Sequence, residues 1–113
     1  MKSQVVDNEK RQKLMEILNR EIPEVMEPEI KKWEEVYKDG ALSCKIKRLM
    51  ALGIALRAGC KNCIIAQTIW ALEAGATKEE ILETITVNMA MSGTTGIAES
   101  LQVIYLLDEL GKL

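Results

Sequence analysis

The 113-residue sequence contains no histidine and no phenylalanine. Without histidine, the chain cannot build a Ser-His-Asp or Cys-His catalytic arrangement within itself, nor a histidine-ligated metal site. Any proton transfer must therefore use Glu, Asp, Lys, Tyr, Cys or water. No segment combines turn residues with the alternating pattern of a strand. These absences favour a helical protein with a restricted choice of chemistry.

Neither charge nor hydrophobicity is concentrated enough to indicate nucleic-acid or membrane binding. The net charge is −2, and the isoelectric point is about 5.3, so no anionic partner is attracted by overall charge. The most apolar stretch, residues 49–72, is interrupted by Arg57 and Lys61, which argues against a transmembrane helix. Residues 1–20 lack the apolar middle of a signal peptide. We expect a cytoplasmic protein with no nucleic-acid and no membrane partner.

The length of the chain predicts one domain, residues 1–113, because it supports one hydrophobic core but not two. More than half of the charged side chains lie in residues 1–39, and the remainder of the chain is far more apolar. We interpret residues 1–39 as a charged, solvated helical arm and residues 40–113 as the core.

Helix signals predict an all-α fold of about six helices. Asp7 is a suitable cap for the first helix, and Pro28 suits the first turn of the second, whose apolar side carries Trp33 and Tyr37. Ser43 caps the third and Gly59 ends it. The expected helices are 7–21, 28–38, 44–58, 61–74, a fifth from the capping box of Thr77 and Glu80, and 97–110.

Two of these helices are apolar on every side, over residues 49–56 and 64–72, which predicts that they are fully buried. A monomer of this size has too few residues to cover two such helices. We therefore expect a homo-oligomer with closed symmetry. Trp70 is interpreted as a core residue, and Cys44 as a core or interface residue.

Cys60 and Cys63 form a C-x-x-C pair on the first turn of the fourth helix. The unpaired N–H groups and the positive end of the helix dipole favour a thiolate there, and Lys61 adds a positive charge. This spacing allows one thiolate to attack and the other to resolve. Two alternatives remain: a zinc site that recruits Cys44, and a pair of small buried hydrophobic side chains.

The residues around the pair resemble the alkylhydroperoxidase D-like and carboxymuconolactone decarboxylase superfamily. The resemblance rests on residues 60–67 (CKNCIIAQ) and 71–81 (ALEAGATKEEI), and extends to 47–52 (KRLMAL) and 91–93 (MSG), covering about residues 40–110. It implies a helical fold around a central antiparallel helical pair, in trimers or hexamers. It also implies peroxide reduction or thiol–disulfide exchange, with no metal or bound cofactor.

The resemblance assigns roles by motif position. It implies that Cys63 attacks the peroxide and that Cys60 resolves the product, with the reductant a protein dithiol or a lipoyl group. In the family's peroxidases a histidine and a glutamate relay the proton, and here those positions hold Gln67 and Arg48. Gln67 does not titrate, and Arg48 cannot serve as a base.

The sequence therefore predicts a thiol-dependent antioxidant enzyme, peroxiredoxin-like or a thiol–disulfide oxidoreductase, which is slow because the relay is missing. The candidate site residues are Cys63, Cys60, Gln67 and Arg48. One alternative is an inactive oligomer that serves as a binding or scaffold protein. Another is a carboxymuconolactone decarboxylase-like enzyme, although that branch usually lacks the cysteine pair.

Overall fold

The computed structural model describes residues 3–113, within which six α-helices and no strand are found. This confirms the predicted all-α fold. The first two residues of the predicted arm lie outside the described residues. The helices are α1 (Gln4–Glu21), α2 (Pro23–Tyr37), α3 (Cys44–Ala58), α4 (Lys61–Glu73), α5 (Lys78–Ser92) and α6 (Thr94–Glu109).

Helices α3 and α4 form an antiparallel hairpin at the centre of the fold, as expected. Ser43 caps α3, because its hydroxyl accepts the N–H of Ile46 at 3.2 Å. Gly59 has a left-handed φ of 71°, a backbone conformation that is strained for a residue with a side chain. The N–H groups of Gly59 and Cys60 both donate to the carbonyl of Ala55, at 3.0 and 3.3 Å. This tight turn delivers Cys60 directly to the start of α4.

Helix α4 is the most deeply enclosed element of the fold. Its buried side chains are Ile64, Ile65, Ala66, Thr68 and Ala71. The hydroxyl of Thr68 donates to the carbonyl of Ile64 at 2.7 Å, so this buried polar group is satisfied. Around α4 the core is completed by α3, α5 and α6, through Leu49, Leu52, Leu56, Ile81, Ile85, Val103, Leu106 and Leu107.

Helices α5 and α6 pack closely after the predicted capping box. Thr77 accepts the N–H of Glu80 at 3.1 Å and its own N–H donates to the Glu80 carboxylate at 2.9 Å. Helix α6 begins at Thr94 rather than at Ile97, because Gly93 alone, with φ 62° and ψ −136°, makes the break. A Cβ at Gly96 would lie 2.9 Å from the Asn88 carbonyl, so only glycine permits this approach of α6 to α5.

The predicted starts of α1 and α2 are wrong. Helix α1 is capped by Ser3, whose hydroxyl accepts the N–H of Val6 at 3.2 Å, and Asp7 lies in the first turn. Helix α2 begins at Pro23, where a missing N–H costs nothing, and continues through Pro28. Pro28 lies inside this helix, where it has no N–H to donate and one backbone hydrogen bond is lost.

The N-terminal helices lie against the α3–α4 hairpin. Helix α1 contacts α4 and α6. Ser3 and the backbone N–H of Gln4 donate to the Glu109 carboxylate at 2.6 and 2.7 Å. At the end of α2, Lys47 donates to the carbonyls of Val36 and Lys38 at 2.8 and 2.7 Å. These contacts fix α1 and α2 over one side of the hairpin.

The composition of α3 predicts burial on all sides. Within one chain, however, part of this helix is exposed. Leu52 and Leu56 are buried, but Met50 and Ile54 are 52% and 69% exposed. Their side of α3 lies toward solvent, at the edge of the contact between α3 and α5. Among the described residues, no helix is long and apolar enough to cross a membrane.

Candidate active site

The two motif cysteines meet at the N-terminus of α4. Cys60 and Cys63 form a disulfide, with their Cα atoms 5.2 Å apart, and Cys44 is a free thiol. Cys60 is the N-cap residue, and its sulfur accepts the backbone N–H of Cys63 at 3.3 Å. Within residues 3–113, no group of three or more metal-binding side chains comes together. The geometry is that of a C-x-x-C disulfide at the start of a helix.

The two sulfur-bearing residues differ in accessibility. Cys63 is exposed, whereas Cys60 is half-buried behind it. An incoming thiolate therefore reaches the Cys63 sulfur first, and the bond that breaks releases Cys60 as the leaving thiolate. The N–H of Cys63 and the helix dipole stabilise negative charge at the Cys60 position. The arrangement favours attack at Cys63 and departure of Cys60.

Cys63 opens onto a cavity of about 840 Å³ between the hairpin and helices α1 and α2. From α4 the wall receives Gln67 and Trp70 in addition to Cys63, and from α3 it receives Arg48. Helix α2 adds Trp33 and Tyr37, and α1 adds Arg11, Gln12, Met15, Glu16 and Asn19. Both tryptophans of the chain therefore line this one cavity.

Arg48 lies between two aromatic rings of the cavity wall. Its guanidinium carbon is 3.5 Å from the ring centroid of Tyr37 and 4.7 Å from that of Trp70. Such stacking is typical of arginine, whose planar group is weakly hydrated. Within residues 3–113, no carboxylate lies within 4.0 Å of this guanidinium. The aromatic rings thus hold a positive charge that lacks an ion-pair partner in the described chain.

Gln67 connects Arg48 to the thiol pair. It lies one helical turn after Cys63, on the same face of α4. Arg48 donates from Nη1 to Gln67 Oε1 at 3.3 Å, and this bond turns the amide NH₂ of Gln67 away from the guanidinium. The structure therefore brings together all four residues that the sequence singled out, with Cys60 bonded to Cys63 and the other three around one cavity.

Arg11 is a cavity residue that sequence reasoning missed. Its guanidinium carbon lies 5.4 Å from the Trp70 ring centroid, and it donates to Asn8 Oδ1 from Nε and Nη2 at 3.3 and 3.0 Å. Burial lowers the pKa of Arg11 by desolvating its charged form. Asn19, two turns further on, has a buried side-chain oxygen with no hydrogen-bond partner in residues 3–113. The interpretation of α1 as a purely solvated helix concealed both residues.

Trp70 is half-buried and lines the cavity, so its assignment to the core is wrong. In the sequence, the signal for this cavity wall is the helical spacing of its residues. Cys63, Gln67 and Trp70 follow one another at intervals of four and three on α4, and Trp33 and Tyr37 are four apart on α2. Such stripes are also typical of core packing, and only the assembled fold distinguishes a cavity wall from a core.

Comparisons with known proteins agree with this architecture. The sequence profile of the carboxymuconolactone decarboxylase family matches residues 23–105, so the match begins at α2. An uncharacterized protein of Cupriavidus necator is 32% identical over 73 residues, which are 65% of each chain. Uncharacterized protein 4 in the cox locus of Paracoccus denitrificans is 35% identical over 75 residues, covering 66% of this chain and 68% of that one. The chain thus spans about two thirds of the length of these relatives.

Two solved structures share the fold over nearly their whole length. The apo form of a carboxymuconolactone decarboxylase family protein from Legionella pneumophila aligns with a TM-score of 0.89 at 26% identity, over 96% of this chain and 97% of that chain. A Thermotoga maritima protein aligns with a TM-score of 0.74 at 25% identity, over 91% and 96%. Because the family profile covers most of the chain and a solved member shares its fold, this chain belongs to the carboxymuconolactone decarboxylase family.

Proposed function

We propose that this protein is a thiol-dependent oxidoreductase of the peroxiredoxin or thiol–disulfide type, in which Cys63 attacks and Cys60 resolves. The observation that carries the proposal is the accessibility of Cys63 on a cavity wall, while its disulfide partner Cys60 caps the helix behind it. A merely structural thiol pair would not need an approach path to one sulfur. Here the cavity provides such a path.

The oxidising half-reaction begins with the reduced pair. The Cys63 thiolate attacks the terminal oxygen of a hydroperoxide, the O–O bond breaks, and the alkoxide leaves and takes up a proton. Cys63 is now a sulfenic acid. The Cys60 thiolate then attacks the Cys63 sulfur and expels hydroxide, which is protonated to water. The products are an alcohol, one water molecule and the Cys60–Cys63 disulfide.

The reducing half-reaction needs an external dithiol. A thiolate of that partner attacks the Cys63 sulfur, and Cys60 leaves as the thiolate that its N-cap position stabilises. The second thiolate of the partner then attacks the mixed disulfide, releases Cys63 and becomes oxidised itself. Resemblance to the family favours a protein dithiol or a lipoyl group as this reductant. Such a cycle belongs in a reducing compartment, which supports a cytoplasmic location.

The proposed activity is slow, because Gln67 and Arg48 occupy the positions of the family's proton relay. General acid–base help is typically worth ~10²–10⁴-fold in rate, and neither an amide nor a guanidinium group can act as the general base. Gln67 can donate a hydrogen bond to a sulfur or to a peroxide oxygen. The helix N-terminus and the guanidinium of Arg48 supply electrostatic support for the thiolate instead.

The decisive experiment titrates the reduced protein with hydrogen peroxide and, separately, with a small disulfide, while free thiols are counted. Wild type should lose the two motif thiols and form a crosslink between Cys60 and Cys63, visible by mass spectrometry. Cys63→Ser should not react at the site, and Cys60→Ser should stop at a sulfenic acid or a mixed disulfide. Cys44→Ser is the matched control and should behave as wild type. Crosslinking through Cys44 in the wild type would contradict the assignment.

A second candidate, a non-catalytic scaffold, is favoured by one specific observation. Here a hydrogen-bonded pair, Arg48 and Gln67, occupies the two positions at which the family's peroxidases carry the glutamate and histidine of the proton relay. On this hypothesis, the two cysteines serve only to stabilise the turn between α3 and α4. Equal and negligible reactivity of wild type and Cys63→Ser toward both oxidants would establish it.

We further propose that the chain assembles as a homo-oligomer, with a trimer or hexamer favoured by resemblance. Four large side chains on the outer face of α3 and α5 support this: Met50, Ile54, Val87 and Met91, each more than half exposed. Contiguous apolar patches of this kind mark interaction surfaces in soluble proteins. A second copy of the chain is the proposed cover for them.

A further inference from the structure

The cavity beside Cys63 carries an excess of positive charge. Arg11 and Arg48 lie in its wall, and neither has an ion-pair partner within residues 3–113. One carboxylate, that of the exposed Glu16, lies among the lining residues. The formal charge of the lining is therefore that of one unmatched cation. A monovalent anion would balance it.

The two guanidinium groups are held in place before any ligand arrives. Trp70 contacts both of them, and Tyr37 stacks on Arg48 at 3.5 Å. The bond to Gln67 uses one of the five N–H donors of Arg48. A carboxylate can accept two parallel hydrogen bonds from such a group. Because these donors are already ordered, less side-chain entropy is lost when a ligand binds.

The rest of the wall suits an apolar body. The indole rings of Trp33 and Trp70 and the side chain of Met15 line the same space. A volume of about 840 Å³ falls in the ordinary range for small-molecule sites, roughly 300–1,000 Å³. The cavity thus combines a cationic end, apolar walls and the exposed thiol position of Cys63.

We propose that this cavity selects organic hydroperoxides that carry a single carboxylate on an apolar body, a specificity that rests on the proposed function of Cys63. The carboxylate binds Arg48 and Arg11, and the hydroperoxide group reaches Cys63. The thiolate takes the terminal oxygen, the O–O bond breaks, and the substrate leaves as the corresponding hydroxy acid with its carboxylate unchanged. A monocarboxylate fits better than a phosphate ester, because the reacting Cys63 thiolate lies in the same cavity and would repel a dianion more strongly than a monoanion.

Binding can be tested apart from redox chemistry in the Cys63→Ser variant. Both tryptophans lie in the cavity wall, so their emission should change saturably with octanoate and not with octanol. Arg48→Gln should weaken octanoate binding by about tenfold or more, since hydrogen bonds to charged groups are worth about 1.5–3 kcal/mol. Arg11→Gln is a second variant with the same expected direction. Arg20→Gln, which removes an exposed charge outside both cavities, is the matched control and should leave the affinity unchanged.

Three results of this binding experiment would overturn the proposal. Equal responses to octanoate and octanol would mean that the cavity does not recognise the charge. Tighter binding of hexyl phosphate than of octanoate would mean that it prefers a dianion. Octanoate affinity that is unchanged in both correctly folded arginine variants would place the anion elsewhere. Far-ultraviolet circular dichroism checks the folding of each variant.

Substrate selection is tested with linoleic acid hydroperoxide and its methyl ester, which differ only in the carboxylate charge. With dithiothreitol as reductant, the wild type should consume the acid at least about tenfold faster than the ester. Arg48→Gln should remove most of this preference, and Arg20→Gln should retain it. Equal wild-type rates would overturn the specificity while leaving the proposed function intact. Consumption of neither compound, despite octanoate binding, would overturn the proposed function and with it the substrate assignment.

Discussion

Two cavities of nearly equal size lie on different sides of helix α3 and differ in chemistry. The cavity beside Cys63 measures about 840 Å³ and contains two arginines, three aromatic rings and the thiol position. The cavity between α3 and α5 measures about 790 Å³ and is lined mainly by aliphatic and thioether side chains, including Ile46, Met50, Ile54 and Val87. The volumes of the two cavities do not distinguish them, whereas the chemical groups in their walls do.

One helix supplies both environments through its periodicity. Arg48 projects from α3 toward the aromatic rings, whereas Met50 and Ile54, four residues apart, project to the opposite side. The first side holds a charge that is poised for a ligand, and the second exposes methyl groups that water does not solvate well. The first cavity, called the thiol cavity below, is the one proposed for catalysis, and the second, the aliphatic groove, is the one proposed for assembly.

The largest expected effect separates the thiol cavity from the rest of the chain. Cys63→Ser should abolish reversible disulfide formation and all turnover with hydrogen peroxide, because Cys63 is the one cysteine of residues 3–113 in the wall of that cavity. Thiol counting after peroxide treatment measures the loss. Cys44→Ser should retain full activity. Residual turnover in Cys63→Ser at the wild-type rate would remove the distinction between the two cavities.

The aliphatic groove should instead control assembly. Ile54→Glu places a charge at a side chain that is 69% exposed in one chain and buried in the proposed oligomer. Light scattering should give at least a trimer of the 12.7 kDa chain for the wild type and a smaller species for the variant, because burying an unpaired charge is costly. Gln12→Glu introduces the same charge beside the thiol cavity and should leave the mass unchanged. A wild-type monomer would contradict the assembly proposal.

Proton transfer is the next feature to examine in the thiol cavity. Gln67→His together with Arg48→Glu restores the family's relay pattern and should raise the rate with hydrogen peroxide by about 10²-fold, the lower end of general acid–base help. Hydrogen peroxide carries no carboxylate, so the loss of the anion site does not confound the result. The two changes must be made together, because neighbours in one network do not act additively.

The control for the relay experiment is the assembly of the double variant. Light scattering must give the same mass for the double variant as for the wild type, since Arg48 stacks on Tyr37 and anchors the wall. No gain in rate by a correctly assembled double variant would mean that proton transfer does not limit this protein. The scaffold function, or an oxidant other than peroxide, would then be favoured.

The sequence predicted the parts of this molecule that depend on local signals. Ser43, Gly59, Thr77 and Glu80 mark helix ends through backbone bonds that neighbouring residues satisfy, and the structure places each where it was expected. The start of α1 was missed because Ser3 and Asp7 are both good capping residues. Ser3 is further fixed by a distant partner, Glu109, which no local pattern reveals.

The candidate site was predictable only in part, because some of its residues are brought together by contacts between distant parts of the sequence. Cys60, Cys63 and Gln67 lie on one helical face, so their proximity follows from spacing. Arg11 comes from a helix more than forty residues away in sequence and was interpreted as surface charge. Its place beside Trp70 depends on how α1 packs on the hairpin. Helical periodicity identifies a face but not what covers that face.

The smallest expected effect compares two carboxylates, each of which links two helices. Lys45 hydrogen-bonds Glu80 at 2.9 Å and links α3 to α5, lowering the pKa of Glu80 together with the Thr77 N–H. Ser3 and the N–H of Gln4 lower the pKa of Glu109, which links the end of α6 to the start of α1. A lowered folded-state pKa means stability that is present above the unfolded value, about 4.5, and is lost as pH falls through the folded value.

Glu80→Gln and Glu109→Gln should therefore each lower the melting temperature slightly at pH 7 and flatten its decline below about pH 4.5, since both carboxylates are solvent-accessible and their bonds are screened. The two variants should differ in tryptophan emission. Glu109→Gln loosens α1 and should shift the emission of the cavity tryptophans, whereas Glu80→Gln should not. An identical emission change in both variants would mean that the emission does not depend on the link between α1 and α6.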